Sequence, residues 1–251
     1  MTVNQSKKGL TGAHLKWMAI VLMAIDHIGA VVLEPMLLGK VSHHFPDIVL
    51  LYWIYMVMRC LGRFAFPMFC FLMVEGFQHT RSKSRYLRNL LIFAFISEVP
   101  FNLALSGEVW ATEYQNVFFT LALGLTAIWF TEYVNEHYLQ SGKNTGMYRL
   151  MYLAVVAGIA LAAELLNTDY GAVGVCVIFI LYAMREKPVT GAVITWLILT
   201  LNTWLEVFCF PFIGAVKLYN GQRGRQNKYF FYLFYPAHLL LLYIIRMILF
   251  Y

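Results

Sequence analysis

The sequence predicts an all-α, polytopic membrane bundle of about eight to ten transmembrane or re-entrant helices, with broken helices lining a central cavity. Three observations lead there. Of the 251 residues, 61% are hydrophobic, 17% aromatic and only 13% charged, against roughly 25% charged in soluble domains. Several segments stay apolar for about 18 residues or more, the length that crosses hydrocarbon at about 1.5 Å per residue. The remaining charge, net +6, gathers in the polar connections. The positive-inside rule produces that pattern, so no nucleic-acid partner is expected. No long linker or internal repeat divides the chain, and a single integral domain over 1–251 is expected.

The first run, 15–38, follows a polar segment and is too long for a signal-peptide core, so it reads as an uncleaved anchor. The second, 48–78, is too long to cross straight. About thirty residues of helix reach about 45 Å, against a hydrocarbon core of about 30 Å. Gly62 and Pro67 are its candidate breakers. Runs at 87–106, 117–135, 148–166 and 170–184 follow. The run 189–218 is again too long, with Pro211 and Gly214 as candidate breakers, and 229–250 completes the set.

Basic residues orient the bundle. Lys7, Lys8 and Lys16 precede or open the first run, and Arg81, Lys83, Arg85 and Arg88 follow the second. The connections 39–47 and 106–116 hold no Arg and one Lys. A cytoplasmic N-terminus in a bacterial inner membrane fits these positions. The basic stretch 217–228 falls outside if every run crosses once. Splitting 189–218 into a full span and a short return puts that stretch inside and the C-terminus outside.

Polar groups inside the runs carry the chemistry. Asp26 and His27 sit side by side in "LKWMAIVLMAIDHIGAVVL". An Asp at the centre of a membrane helix costs roughly 3 kcal/mol, so it is functional by default. His27 lies eleven residues after Lys16, three turns and about 16 Å along one helix face. Imidazole exchanges protons near neutral pH, and a neighbouring carboxylate such as Asp26 orients it. The competing reading is a hydrogen-bonded pair that only joins helices. Arg59 and Arg63 share a face at i,i+4 and suit an anion, either a ligand phosphate or the carboxylate of Asp26 or Glu98. Glu98 precedes Pro100, and Asn116 stands where a helix starts, as an N-cap or a site donor. Asp169 reads as a cap before the next helix. Glu75 and His79 are too few to hold a metal, so no metal site is expected. Cys60, Cys70, Cys176 and Cys209 read as packing residues. Asn220-Gly221 marks a turn amid Lys217, Arg223, Arg225 and Lys228, which serve either as head-group anchors in the lipid bilayer or as a polyanion site. His238 follows Pro236 into the last run.

Taken together, "LGRFAFPMFCFLMVEGFQHTRSKSRYLRNLLIFAFISEVPFNL", "QNVFFTLALGL", "DYGAVGV" and "LYNGQRGRQNKYFFYLFYPAHLLLL", with the first run, resemble the TraX family over nearly the whole chain. The family's named activity is N-terminal acetylation of conjugative pilin. The resemblance therefore implies a membrane-embedded acyltransferase that uses acetyl-CoA, related to transmembrane acyltransferases that pass acyl groups from cytoplasmic CoA across the membrane. The acceptor is an amine or hydroxyl on a protein N-terminus, a glycan or a small molecule. His27 is then the base or acyl carrier, oriented by Asp26, with Arg63 or Asn116 stabilising the anionic intermediate and Glu98 beside them. Lys16, Arg81, Arg85, Asn220, Arg223, Arg225, Lys228 and His238 are the candidates for the CoA phosphates. A proton-coupled transporter or flippase, and a surface-assembly scaffold, are the other classes that fit.

Overall fold

The computed structural model describes residues 8–39, 47–138 and 145–250, and these form a bundle of membrane helices. Local chemistry sets most helix starts. Thr11 opens α1 (Gly12–Ile28) with a reciprocal capping box: its hydroxyl accepts from the His14 N–H, and the His14 ring accepts from the Thr11 N–H. A π turn, Gly29–Leu33, carries α1 into α2 (Glu34–Leu37), so one span runs Gly12–Leu37. Asp47 caps α3 (Ile48–Gly62) by accepting from Val49 and Leu50, both at 3.0 Å. The chain then breaks at Arg63 and Phe64 before α4 (Ala65–His79). The break falls between the two expected breakers. Pro67 lies in the first turn of α4, where a missing N–H is best tolerated.

Ser82 caps α5 (Lys83–Leu105) and Asn116 caps α6 (Val117–His137). Then come α7 (Thr145–Leu165), α8 (Gly171–Ala183) and α9 (Pro188–Asn202). The long run 189–218 does split. A 3₁₀ turn, Trp204–Cys209, and α10 (Pro211–Leu218) lead back from the end of α9. The split falls at Thr203, however, where the backbone turns extended. Pro211 opens α10 instead of ending a helix, and Gly214 lies inside it. The last helix is α11 (Lys228–Phe250), with Pro236 within it. Among the described residues, six helical segments are long and apolar enough to cross a membrane, and α8 and α9 are shorter apolar helices.

The short helix α4 is the axis of the bundle. It packs against α1, α6 and α8, and ten of its 15 residues are buried. Helix α1 lies against α3 and α4, and α5 runs along α11. Helix α7 sits at the edge, held through a small cluster of Ala127, Val156, Ala160, Ala163 and Val175. Large apolar side chains such as Trp53, Phe95, Leu201 and Ile248 face outward. Hydrocarbon is the solvent that accepts such a surface.

Two faces separate by charge. Leu10 donates to the Leu218 carbonyl (2.8 Å) and Gly12 to that of Gln222 (2.8 Å), tying the start of α1 to the stretch after α10. The Asn220-Gly221 turn is there, with Gly221 at φ +76°. Arg81, Arg185 and Arg223 belong to connections on this face, and Lys217 to the last turn of α10. On the opposite face Gln115 donates to the Asn167 carbonyl, and Asp169 to that of Gln115 (both 2.9 Å). The connections 106–116, 166–170 and 203–210 hold no Lys or Arg. The basic stretch 217–225 thus shares a face with the N-terminal segment, and α11 ends on the other.

Gly62 of α3 lies directly against Asp26 of α1. A Cβ there would overlap the Asp26 side chain. Overpacking of this kind costs about 1–3 kcal/mol. Gly62→Ala is expected to lower the unfolding temperature in detergent. Gly214→Ala, with open space around the added carbon, should leave it unchanged or higher.

Candidate active site

Asp26 stands one turn below the π turn, on the face of α1 that meets the end of α3. Its two oxygens are taken separately: Oδ2 by Arg59 Nη1 and Oδ1 by Arg63 Nη2, each at 2.8 Å. Arg63 reaches further. Its Nη1 donates to the Tyr170 hydroxyl (3.3 Å) and to Glu206 Oε1 (3.4 Å), and the Tyr170 hydroxyl also donates to Glu206 (3.1 Å). The break after Gly62 lets Arg63 fan out in this way. Tyr170 holds a left-handed backbone, φ +62°, rare for an aromatic residue. Its ring stacks flat on Phe66 and its hydroxyl is held by Arg63 and Glu206, so the surroundings fix the strained conformation. Next to it, Asp169 in the α7–α8 connection has its carboxyl pushed up to about 6 by burial, against the pull of Arg63 and the Tyr114 hydroxyl.

With both Asp26 oxygens engaged by guanidinium groups, Asp26 is not the partner of His27, contrary to expectation. Neighbouring helix residues diverge by about 100°, and His27 turns to α11 instead. Its Nδ1 lies 2.6 Å from His238 Nε2, and the two rings meet edge to edge, nearly coplanar, with centroids 4.9 Å apart. His238 Nδ1 in turn lies 2.7 Å from the Phe234 carbonyl. Tyr235 sets its ring edge-on to both imidazoles.

His27, Asp26, Arg63, Tyr170 and Glu206 line a cavity of about 330 Å³ toward the acidic face. A larger cavity of about 870 Å³ opens at the basic face, lined by Lys16, Arg81, Arg85 and Arg223 at its rim and by residues such as Phe69 and Leu72 within. Met23, Phe69, Val117 and Tyr235 line both. They form an apolar waist between a basic chamber and a smaller chamber that His27 lines. Lys16 and His27, three turns apart on α1, stand one on each side of it.

The remaining candidates lie elsewhere. Asn116 is an N-cap: its Oδ1 accepts from the Phe118 N–H, and its amide donates to the Ala94 carbonyl (2.8 Å) and to Glu98 Oε2 (2.5 Å). Both amide hydrogens are spent, and neither Asn116 nor Glu98 lines either cavity. They fasten α5 to α6. Asn220 shapes its turn, accepting from the Gln222 N–H. Arg225 is exposed and outside the lining of the basic chamber. The side chain of Lys228 lies outside the described residues. His238, placed with the phosphate ligands by its position after the basic loop, belongs with His27 instead. Asp169 does not cap α8; the Glu164 carboxylate accepts the Ala172 N–H there (2.9 Å). Sequence reading passed over Glu206 and Tyr170. The one signal for Glu206 was an acid within the apolar run "TWLEVFCF".

Removing one member of a buried ion pair costs about 3–5 kcal/mol, because its partner stays charged. Asp26→Ala strands the Arg59 guanidinium and leaves Arg63 with Glu206 as its one acid, and is expected to lower the yield and unfolding temperature of detergent-solubilised protein severely. Glu206→Gln keeps a carbonyl acceptor for Tyr170 and Arg63, and should lose clearly less by the same measurement.

Comparison with known proteins agrees with this architecture. The TraX protein family matches residues 11–246. A probable fimbrial assembly protein FimC, serogroup H1, of Dichelobacter nodosus is 28% identical over 258 residues, covering 91% of this chain and 92% of that protein. No solved structure matches. With a match that takes in every described membrane helix, from α1 to α11, the chain belongs to the TraX family.

Proposed function

We propose that this protein transfers an acetyl group from cytoplasmic acetyl-CoA to an amine acceptor, such as a protein N-terminus, on the other side of a bacterial inner membrane. The observation that carries the reading is the pair of chambers meeting at one waist, basic on one side and on the other lined by His27, which His238 backs from α11. Lys16, Arg81, Arg85 and Arg223 are the residues to hold the phosphates of CoA, and the apolar interior of the same chamber suits its thioester arm. The smaller chamber receives the acceptor. It holds more carboxylates than guanidinium groups: Asp26, Glu34, Asp169 and Glu206 against Arg59 and Arg63. That balance favours a cationic amine. The fimbrial assembly relative supports a surface-appendage subunit as the acceptor.

His27 acts as the general base. The bound ammonium first gives one proton to water; the neutral amine nitrogen then attacks the acetyl carbon, and a second proton passes from it to His27. The carbon–sulfur bond breaks, and the same proton leaves on the CoA sulfur. Arg59 and Arg63 place positive charge beside the anionic intermediate, although Asp26 neutralises part of it.

In nanodiscs, with labelled acetyl-CoA and a short peptide bearing a free N-terminus, the wild type should acetylate the peptide. His27→Ala should lose transfer while still folding and inserting. A His27→Ala protein with near-normal turnover would exclude His27 as the base. Joint replacement of Arg85 and Arg223 by Gln should raise KM for acetyl-CoA by about tenfold or more, since charge-assisted hydrogen bonds contribute about 1.5–3 kcal/mol each, while kcat changes little. The penalty should shrink as salt rises. A transporter or scaffold would ignore acetyl-CoA in every arm.

A further inference from the structure

We infer that His238 is a positioning residue that holds His27 in one tautomer, with its hydrogen on Nδ1 and its lone pair on Nε2. The order of hydrogens runs from α11 into α1. A backbone carbonyl only accepts. His238 Nδ1, 2.7 Å from the Phe234 carbonyl, therefore carries a hydrogen. A neutral imidazole has a single N–H, so His238 Nε2 presents a lone pair. That lone pair faces His27 Nδ1 at 2.6 Å, and two nitrogens this close need a hydrogen between them. It belongs to His27 Nδ1. The basic atom of neutral His27 is then Nε2, and among the described residues nothing is hydrogen-bonded to that nitrogen.

Packing leaves the pair few alternatives. His238 is 8% exposed, so water does not readily replace its contact. Its ring stacks on Phe234, with centroids at 4.9 Å, and meets the His27 ring edge to edge, the two planes 20° apart. A free histidine side chain favours its hydrogen on Nε2, which would leave the Nδ1 lone pair pointing at His238. His238 thus does for His27 what a carboxylate does in a hydrolase triad, but by accepting as a neutral ring. The role rests on the acetyl-transfer reading for its use. The proton leaving the amine lands on His27 Nε2, the imidazolium keeps its Nδ1 hydrogen toward His238, and the Nε2 proton goes on to the sulfur.

The test is nitrogen NMR of the full-length protein with labelled histidine, at mildly alkaline pH. The His27 signals are identified by their loss in His27→Gln. His238→Phe keeps the stacked ring and deletes the acceptor. His238→Gln places a carbonyl oxygen near the position of Nε2 and restores it. Wild type and His238→Gln should show His27 protonated on Nδ1, and His238→Phe should show it on Nε2. Peptide acetylation should fall about 100-fold in His238→Phe with KM for acetyl-CoA unchanged, and recover to within about tenfold of wild type in His238→Gln. A wild-type His27 protonated on Nε2, or one tautomer throughout the series, overturns the assignment. A wild type that transfers no acetyl counts against the acetyl-transfer reading alone, because the spectra decide the tautomer without an acceptor.

Discussion

Asp26, held between Arg59 and Arg63, is the constraint on which the rest of the structure depends. Three charges in a hydrocarbon setting persist only when each has a partner. Satisfying them dictates the neighbourhood. Gly62 has no side chain because Asp26 occupies the space where one would go. Arg63, at the end of α3, reaches Tyr170 and Glu206 as well as Asp26. Tyr170 accepts a left-handed backbone to meet it. One carboxylate on α1 thereby links α3, the α7–α8 connection and the 3₁₀ turn after α9. The cost of burying Asp26 is offset by joining four parts of the chain.

That knot also frees the histidine beside it. Because Asp26 is committed to guanidinium groups, His27 is left to pair with α11, on the rim of the acidic-side chamber and just past the waist from the basic one. Charge is sorted the same way along the membrane normal. Cations line the mouth of the large chamber, and carboxylates predominate in the small one. Under the proposed acetyl transfer, each chamber suits one substrate: a polyanionic donor and a cationic acceptor. The waist of Met23, Phe69, Val117 and Tyr235 keeps the two apart except where the acetyl group passes.

Much of the architecture was legible because bilayer thickness and backbone chemistry act locally. Apolar run lengths marked the helices, and the overlong runs had to break. Asn116 was readable as a cap, and Arg63 as a residue in need of an acid. The basic stretch 217–225 correctly forced a return segment after α9. What failed was long-range pairing. Adjacency in sequence suggested that Asp26 serves His27, yet the helical turn between neighbours sends them to different partners. His238 lies 211 residues from His27, and nothing local to "YPAHLL" marks it as the other half of an imidazole pair. Glu98 and Asn116 looked catalytic as polar groups in apolar runs, but they satisfy one another between α5 and α6. Glu206 was hidden because the turn at Thr203 has no glycine or proline to announce it.

The central claim is that donor and acceptor meet across the Met23–Phe69–Val117–Tyr235 waist. A cryo-electron-microscopy map of the protein in nanodiscs with CoA bound tests it most directly. The account predicts phosphate density among Lys16, Arg81, Arg85 and Arg223, with the thiol end at the waist, directed toward His27. CoA bound on the acidic face, or bound at the basic mouth with its thiol end turned away from the waist, would contradict it.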